Sequence, residues 1–362
     1  MAREFEVRIL ITLDSEDFDS RVILNKNVEY PFSKVYKDRF HITNQQIEIT
    51  ALRSQKVDID SIFSNYNSAL NKQVTKALTY YYCSVCAPIK IRQIQISQSN
   101  IRNKGKFTPI KKIIGHKDIY QIIEKNSSLV DLCKIKSNEL EAILNEDSKG
   151  HAILIATTHL IKACCLSNPF DKFDKLWRSF NALYKCLAQK TKDSECLIHL
   201  RKHMDANNAL YPLSQGLISS TQSNEIRDNI RWIAMIHNDF PTEKQAEAFK
   251  GFVLQIKDSR FISIVNDALS VRKTHLINRG FWNQVENHIK INLASPKKYD
   301  TDVVAILCLR YMYFVRNKSF HAEKLDSSFN IVANNKEEKE LIWLCKILKF
   351  LIIDVINFNS KF

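Results

Sequence analysis

Turn-forming residues are scarce in this chain, and that scarcity limits the folds open to it. Its 362 residues include only 6 glycines and 7 prolines, set against many leucine, isoleucine, lysine, asparagine and alanine residues. A sandwich or barrel of many strands needs frequent tight turns, which glycine and proline favour. The sequence therefore predicts a mainly α fold built from long helices.

The first part of the chain combines strand-like and helical patterns. Residues 3–12 alternate between apolar and polar, which is typical of a half-buried strand, and similar runs occur at Gln46–Leu52 and Ile89–Ser97. In the last run the apolar parity changes after Gln93, which indicates a β-bulge or uneven burial. Asp58–Cys83 has apolar residues at helical spacing. We therefore expect a small N-terminal α+β domain.

After residue 115, apolar residues recur almost everywhere at helical spacing. We expect two short helices between Asp118 and Glu146, then a helix that Ser148 caps and that runs to about Leu166. The other predicted helices are Phe173–Gln189, Ile226–His237, Glu243–Val265, Asn278–Leu293, Asp302–Arg316 and Lys336–Asn357. The last two-thirds of the chain should therefore form an all-α bundle.

The chain is strongly basic, with a formal net charge of +14. Clustered lysine and arginine bind polyanions by releasing the counterions condensed on phosphates, so nucleic acid is the first partner to consider. Solvated lysine-rich surfaces give the same total charge without such a partner. The basic segment Asn100–Lys112, which includes Arg102, Lys104 and Lys106, is correspondingly either an RNA-facing loop or a solvated linker.

The sequence favours neither a secreted nor a membrane protein. The N-terminal residues MAREFEVRILITLDSEDF contain no apolar core or cleavage site of a secretory signal, so we expect a cytoplasmic protein. The most apolar segment, Leu341–Phe358, carries Lys346, Lys349 and Asp354 in its interior, which favours a buried helix over a membrane span. The 9 scattered cysteines are typical of reduced thiols.

Several common kinds of site find little support in the sequence. Cys83 and Cys86 form a lone CxxC pair without a second pair at metal-binding spacing. His199 and His203 lie one helical turn apart, but neighbouring basic residues such as Arg201 would repel a metal cation. No glycine-rich phosphate-binding loop and no G-x-S-x-G motif occurs. We therefore expect neither a metal nor a cofactor.

The stretch YFVRNKSFHAEK, Tyr313–Lys324, lies at the end of an apolar helical run. It contains Arg316, Asn317 and His321. In an unbroken helix, positions five apart point about 140° away from each other. We therefore expect a break near Asn317 that lets Arg316 and His321 converge. Such a pair suits RNA cleavage because the ribose 2′-hydroxyl is an internal nucleophile. Histidine can transfer protons near neutral pH, and arginine can stabilise the charge on the phosphate.

Spacing alone is a weak signal, because the chain contains a second pair, Arg231 and His237. The residues between them are apolar, so we expect one ordinary helix with these two side chains on different faces. Arg316 and His321 have a structural alternative as well, in which they cap the end of a helix by interacting with its last carbonyls.

The residues around Arg316 and His321 are more specific than the spacing of this pair. R-N-x-x-F-H-x-x-K, from Arg316 to Lys324, resembles the signature of the HEPN superfamily. This superfamily consists of small helical bundles whose R-x(4–6)-H motif marks many metal-independent endoribonucleases. Upstream, LWRSFNALY, Leu176–Tyr184, resembles the early-helix signature of ApeA-like bacterial HEPN proteins. The resemblance extends from about Ser148 to the C-terminus.

This resemblance implies a catalytic pair, Arg316 and His321, with Asn317 as the residue that positions them. RNA cleavage would then leave a 2′,3′-cyclic phosphate and a 5′-hydroxyl. Lys324 and Asn181 are supporting candidates, the first for binding phosphate and the second as a polar group facing the same cleft. Family members usually cut as homodimers whose two motifs meet, so a homodimer through the HEPN-like domain is expected.

Pattern and resemblance together divide the chain into three ranges. These are an N-terminal α+β recognition or regulatory domain at 1–115, a helical connector at 116–147, and a HEPN-like all-α domain at 148–362 with a helical insertion at about 190–295. The resemblance implies antiphage or toxin-like work, with a regulatory protein or phage trigger acting on the N-terminal domain. The alternatives are a catalytically silent RNA-binding or dimerisation protein and, on charge alone, a DNA-binding protein.

Overall fold

The computed structural model describes residues 4–15, 19–102, 108–124, 127–320, 332 and 334–361. These residues form two compact units. One unit contains the described residues up to Ser167 together with those at 181–186 and from Ile356 onward, and the other contains 168–180 and 187–355. The described chain is mainly helical, with an antiparallel sheet near its N-terminus, as the sequence predicts.

The first unit is built on a six-stranded antiparallel sheet. Its strands are β1 (Phe5–Leu13), β2 (Val22–Tyr30), β3 (Ser33–Thr43), β4 (Gln46–Arg53), β5 (Ile91–Asn100) and β6 (Ile110–Gly115). Their spatial order is β2-β3-β4-β1-β5-β6. Val7, Ile9 and Ile11 of the inner strand β1 are fully buried, which is the one-sided burial that their alternation predicts.

Alternation predicted three of these strands and missed the others. The predictions for β1, β4 and β5 are confirmed, and so is the bulge near Gln93. Thr12 pairs with Gln93, whereas the next residue, Leu13, pairs with Ile91. In β2, three exposed residues in a row separate the buried Leu24 from the buried Val28. That spacing hides the period of two on which the prediction depends.

Helix α1 (Ala69–Val85) packs against the sheet. It begins at the cap Ser68, whose Oγ accepts a hydrogen bond of 3.1 Å from the backbone N–H of Asn71. It ends at Cys86, which adopts the left-handed conformation with φ of 56°. The predicted start at Asp58 is wrong, because a run of turns precedes the helix.

Two further helices belong to the first unit, α2 (Ser137–Leu140) and α3 (Ser148–Cys165). The cap of α3 is Asp147 rather than the predicted Ser148, and its Oδ1 accepts a hydrogen bond of 2.6 Å from the N–H of Gly150. α3 packs against α1 and therefore belongs to the same compact unit as the sheet. The ranges 1–115, 116–147 and 148–362 therefore stay a prediction about functional modules.

Most of the remaining helices lie in the second unit. They are α4 (Pro169–Ala188), α5 (Asp193–Ala206), α6 (Pro212–Ile218), α7 (Ser223–Asn229), α8 (Trp232–Asp239), α9 (Ala246–Leu254), α10 (Ser259–Ala268), α11 (Lys273–Asn278), α12 (Trp282–Ala294), α13 (Asp300–Ala305), α14 (Met312–Phe320) and α15 (Lys336–Asn357). The bounds predicted for α15 are confirmed. Several long predicted helices divide in two, and 226–237, for example, becomes α7 and α8.

No helix within the described residues combines the length and the apolar character needed to cross a membrane. α15, the most apolar helix predicted, contains the buried Asp354, whose oxygens accept hydrogen bonds from the N–H groups of Leu213 and Ser214 at 3.1 and 2.9 Å. The nine cysteines all lie in the described ranges, and no disulfide joins them.

Candidate ribonuclease site

The segment that carries Arg316 is a long helix with one irregular turn. α13, a π-helical turn at Ile306–Tyr311 and α14 follow one another without a gap. A π turn accommodates one extra residue, so the side chains after it are rotated relative to those before it, and such turns are frequent at functional sites. Its side chains are almost all buried, which explains why the apolar pattern of the sequence continues through it.

The predicted helix break near Asn317 is wrong, because α14 continues through Asn317 to Phe320. The sequence reasoning gave too much weight to the polar residues Asn317 and Ser319. Their helix propensities cost at most about 0.7 kcal/mol each relative to alanine, and the burial of Phe314 and Val315 outweighs that cost. Up to Phe320, where the described part of this segment ends, the irregular turn lies before Arg316.

A buried polar network holds the π turn. The hydroxyl of Tyr311 donates a hydrogen bond to Glu340 of α15 and accepts one of 2.6 Å from the backbone N–H of Arg231. The Nε of Arg231 donates to Glu340 Oε2 at 2.8 Å. Burial and the adjacent Glu340 carboxylate raise the pKa of Tyr311, so its hydroxyl stays protonated as a donor. Sequence reasoning missed this network because its members are far apart in the chain.

Arg316 and Asn317 are neighbours in the last turns of α14, and both are half-buried. The Nη1 of Arg316 donates a hydrogen bond of 3.0 Å to Oδ1 of Asn317. This bond fixes one edge of the guanidinium, which fits the positioning role expected of Asn317. The candidates His321 and Lys324 lie outside the described residues.

An aromatic cluster connects the two segments that resemble HEPN signatures. Trp177 of α4 lies between Phe173 and Phe180, with ring centroids 6.3 and 5.8 Å away. The ring of Tyr313 on α14 is 6.1 Å from that of Trp177. The early helix therefore contacts the motif helix one turn before Arg316.

Asn181 follows this cluster on α4. Its Nδ2 donates a hydrogen bond of 2.5 Å to the hydroxyl oxygen of Tyr184, which is fully buried. Asn181 thus has a structural partner on its own helix, in addition to the supporting role that the sequence predicts for it.

The second arginine–histidine pair has a structural role. The prediction that Arg231 and His237 share one ordinary helix is wrong, because Arg231 precedes the first turn of α8 and only His237 lies within it. Arg231 binds Glu340, and the Nδ1 of His237 lies 3.1 Å from Nη2 of Arg272. The backbone N–H of Arg231 bonds the hydroxyl of Tyr311 instead of a carbonyl of the preceding turn, a long-range contact invisible in the local sequence, and α8 begins only after it.

The basic segment 100–112 divides between a bend and a strand. Arg102 is exposed, with Nη1 3.8 Å from a carboxylate oxygen of Glu4. Lys104 and Lys106 lie outside the described residues. The loop predicted to reach Lys112 is too long, because β6 begins at Ile110 and pairs with β5. Neither an RNA-facing loop nor a plain linker describes this last part.

The surroundings of the CxxC and HLRKH pairs favour neither a reactive thiol nor a metal site. Burial and the nearby Cys133 raise the pKa of the Cys86 thiol to about 11, and burial raises that of Cys83 well above its usual value. Burial and the neighbouring His199 lower the pKa of His203, which bonds the hydroxyl of Tyr211 through Nδ1 at 2.7 Å. Thiols of this kind are poor nucleophiles at neutral pH. In the described ranges, no group of three or more His, Cys, Asp or Glu side chains is arranged to hold a metal ion.

The resemblance to HEPN proteins rests on the residues of the two sequence segments alone. No family model, no curated protein and no solved structure matches the chain.

Proposed function

We propose that this protein is a metal-independent endoribonuclease of HEPN type, with Arg316 and His321 as its catalytic pair and Asn317 as the residue that positions the arginine. The observation that carries the proposal is the contact between Trp177 and Tyr313 at 6.1 Å. The two segments identified by resemblance are far apart in the sequence, yet they pack against each other, and this supports a common origin for both signatures.

The chemistry follows from the side chains. The guanidinium of Arg316 grips two phosphate oxygens and stabilises the charge that develops on them. His321 accepts the proton of the ribose 2′-hydroxyl or donates a proton to the departing 5′-oxygen. The 2′-oxygen attacks the phosphorus as the bond to the 5′-oxygen breaks, which leaves a 2′,3′-cyclic phosphate and a 5′-hydroxyl. The bond from Arg316 to Asn317 supports this arrangement by limiting the rotation of the guanidinium.

The proposal includes a homodimer in which the two motifs meet, and a role in antiphage defence or toxicity with control through the N-terminal domain. Lys324 and the basic residues Arg102, Lys104 and Lys106 would add phosphate contacts. Because each such contact displaces counterions, RNA binding would weaken steeply as salt rises.

One observation favours a second candidate, a catalytically silent RNA-binding or dimerisation protein. α14 continues through Asn317 instead of breaking there. If the helical geometry extended to His321, its side chain would point about 140° away from that of Arg316, and the pair could not share one phosphate within a single chain. The dimeric arrangement avoids this difficulty, because arginine and histidine can then come from different chains.

The test is RNA cleavage by the wild type and by Arg316→Ala and His321→Ala. We expect the wild type to cut single-stranded RNA in EDTA and both variants to lose at least about a hundredfold in rate, since general acid–base and electrostatic stabilisation each contribute factors of that order. Gel assays with end-group analysis measure both the rate and the product.

The second arginine–histidine pair supplies a matched control. His237→Ala removes an exposed histidine of the same chain, and its rate should equal that of the wild type. If the wild type binds RNA without cutting it, and Arg316→Ala and His321→Ala bind equally well, the silent alternative is correct.

A further inference from the structure

The sheet-containing unit has a cavity that the proposed ribonuclease site does not use. Its volume is about 320 Å³, and it lies at the β2–β3 turn, the end of β4 and the start of α1. Its lining includes the rings of Tyr30 and Phe32 and the cationic side chains of Arg53 and Lys56. Ligand sites usually begin at about 300 Å³, so this cavity suits one small ligand.

Each of the two rings has a cation beside it. Tyr30 and Phe32 meet edge to face, with centroids 5.6 Å apart and planes at 79°. The guanidinium carbon of Arg53 lies 4.2 Å from the centroid of Tyr30, and Lys72 Nζ lies 5.8 Å from that of Phe32. Phe32 is 68% exposed, so a large apolar face remains open to a planar ligand.

Buried partners fix the arginine in place. Asp38, which is buried, accepts hydrogen bonds of 2.7 and 2.9 Å from the two terminal nitrogens of Arg53, and one of 2.9 Å from Gln73 Nε2. The charge of Arg53 is therefore balanced within the fold. A bidentate pair of this kind holds the guanidinium rigidly over Tyr30.

Both charged side chains among the described residues that line the cavity, Arg53 and Lys56, are cationic. Among the described residues that line it, none carries a carboxylate, whereas Lys56 lines it and Lys72 lies beside Phe32. The lining also includes Ser54, whose hydroxyl can donate a hydrogen bond to an anion. A ligand that matches this lining has a flat aromatic part and a negatively charged part.

We propose that this cavity binds a nucleotide, with its base stacked on Phe32 and its phosphate held by Lys56 and Lys72. Aromatic stacking accepts any base, and lysine binds phosphate as a point charge, so both halves of the ligand are recognised. The nucleotide is either free or one unit of a single-stranded nucleic acid, since the chemistry of recognition is the same. The proposal does not depend on cleavage at Arg316.

The experiment is equilibrium binding to the full-length protein, measured by calorimetry at two salt concentrations. The probes are the four ribonucleoside 5′-monophosphates, inorganic phosphate, and a 2′-O-methyl oligonucleotide, which lacks the nucleophile needed for self-cleavage. We expect Phe32→Ala to weaken nucleotide binding about tenfold, the loss of one stacked base. Lys56→Ala combined with Lys72→Ala should also weaken it and should reduce its salt dependence.

Matched controls come from the same hairpin. Val35→Ala and Lys37→Ala change exposed residues of β3 that do not line the cavity, and they should bind as the wild type does. Tight binding of the oligonucleotide alone identifies a strand as the source, and equal binding of a monophosphate identifies a free nucleotide. The proposal is overturned if no nucleotide probe binds more tightly than inorganic phosphate, or if folded Phe32→Ala binds every probe as well as the wild type. RNA cleavage by Phe32→Ala is a separate readout, so each proposal can fail without the other.

Discussion

His203 shows how one side chain makes stability depend on pH. Its ring on α5 is partly buried beside Tyr211, and Nδ1 meets the tyrosine hydroxyl at 2.7 Å. Burial, together with His199, lowers the pKa of His203 below its ordinary 6.5. Because burial raises the pKa of Tyr211, its hydroxyl stays protonated and can donate a hydrogen bond to a neutral imidazole. The folded protein therefore prefers the uncharged histidine.

We predict that this preference destabilises the protein in mild acid. As pH falls below 6.5, the unfolded chain binds a proton at His203 more readily than the folded chain does, so the free energy of unfolding decreases. The effect should be less than about 1 kcal/mol, because the ring is only partly buried and solvent screens its charge. Denaturant unfolding at pH 7.5 and 5.5 measures it. His203→Gln should show a smaller decrease over this interval, and an identical decrease in both proteins would contradict the prediction.

The π turn depends on α15. Tyr311 belongs to the turn, Glu340 belongs to α15, and the bond between them is supplemented by Arg231 at the start of α8. Glu340 is only 2% exposed. A buried carboxylate needs its donors, so the network ties three elements together at the point where the motif helix changes its pitch.

We predict that Tyr311→Phe lowers the free energy of unfolding by about 1–3 kcal/mol, because Glu340 and the N–H of Arg231 each lose a hydrogen bond inside the protein. Denaturant unfolding measures the loss. Tyr313→Phe is the matched control, since it removes a hydroxyl from the next turn that bonds no described residue, and it should cost much less. Equal stability of the two variants would show that the network contributes nothing.

Local sequence predicted the elements whose burial follows a simple period. β1 and β5 bury alternate residues, and the parity change at Gln93 marked a real bulge. Local sequence did not predict the elements whose bounds depend on contacts with residues far away in the chain. Nothing near Arg231 indicates that its backbone N–H bonds Tyr311, and so the local sequence predicts one helix where α7 ends and α8 starts. The same limit applies to the π turn, whose partners lie on other helices.

The candidate site depends on how separate segments of the chain meet. Arg316, Asn317 and the aromatic segment of α4 could be identified from the sequence. The contact between Trp177 and Tyr313 joins α4 to α14, which carries Arg316 and Asn317. Sequence reasoning missed the cavity at Phe32, because the lining comes from β2, β4 and α1 together. A turn with one aromatic residue carries no signal until the sheet places Arg53 beside it.

In the proposed mechanism, RNA is cut by its own 2′-hydroxyl. The most direct measurement uses a single-stranded RNA that the wild type cuts in EDTA, and a matched strand with one 2′-deoxynucleotide on the 5′ side of the main cleavage site. We expect the RNA to yield a 2′,3′-cyclic phosphate and a 5′-hydroxyl, and the deoxy strand to stay intact at that site. Cleavage at the deoxy position, or products with a 3′-hydroxyl and a 5′-phosphate, would contradict this mechanism.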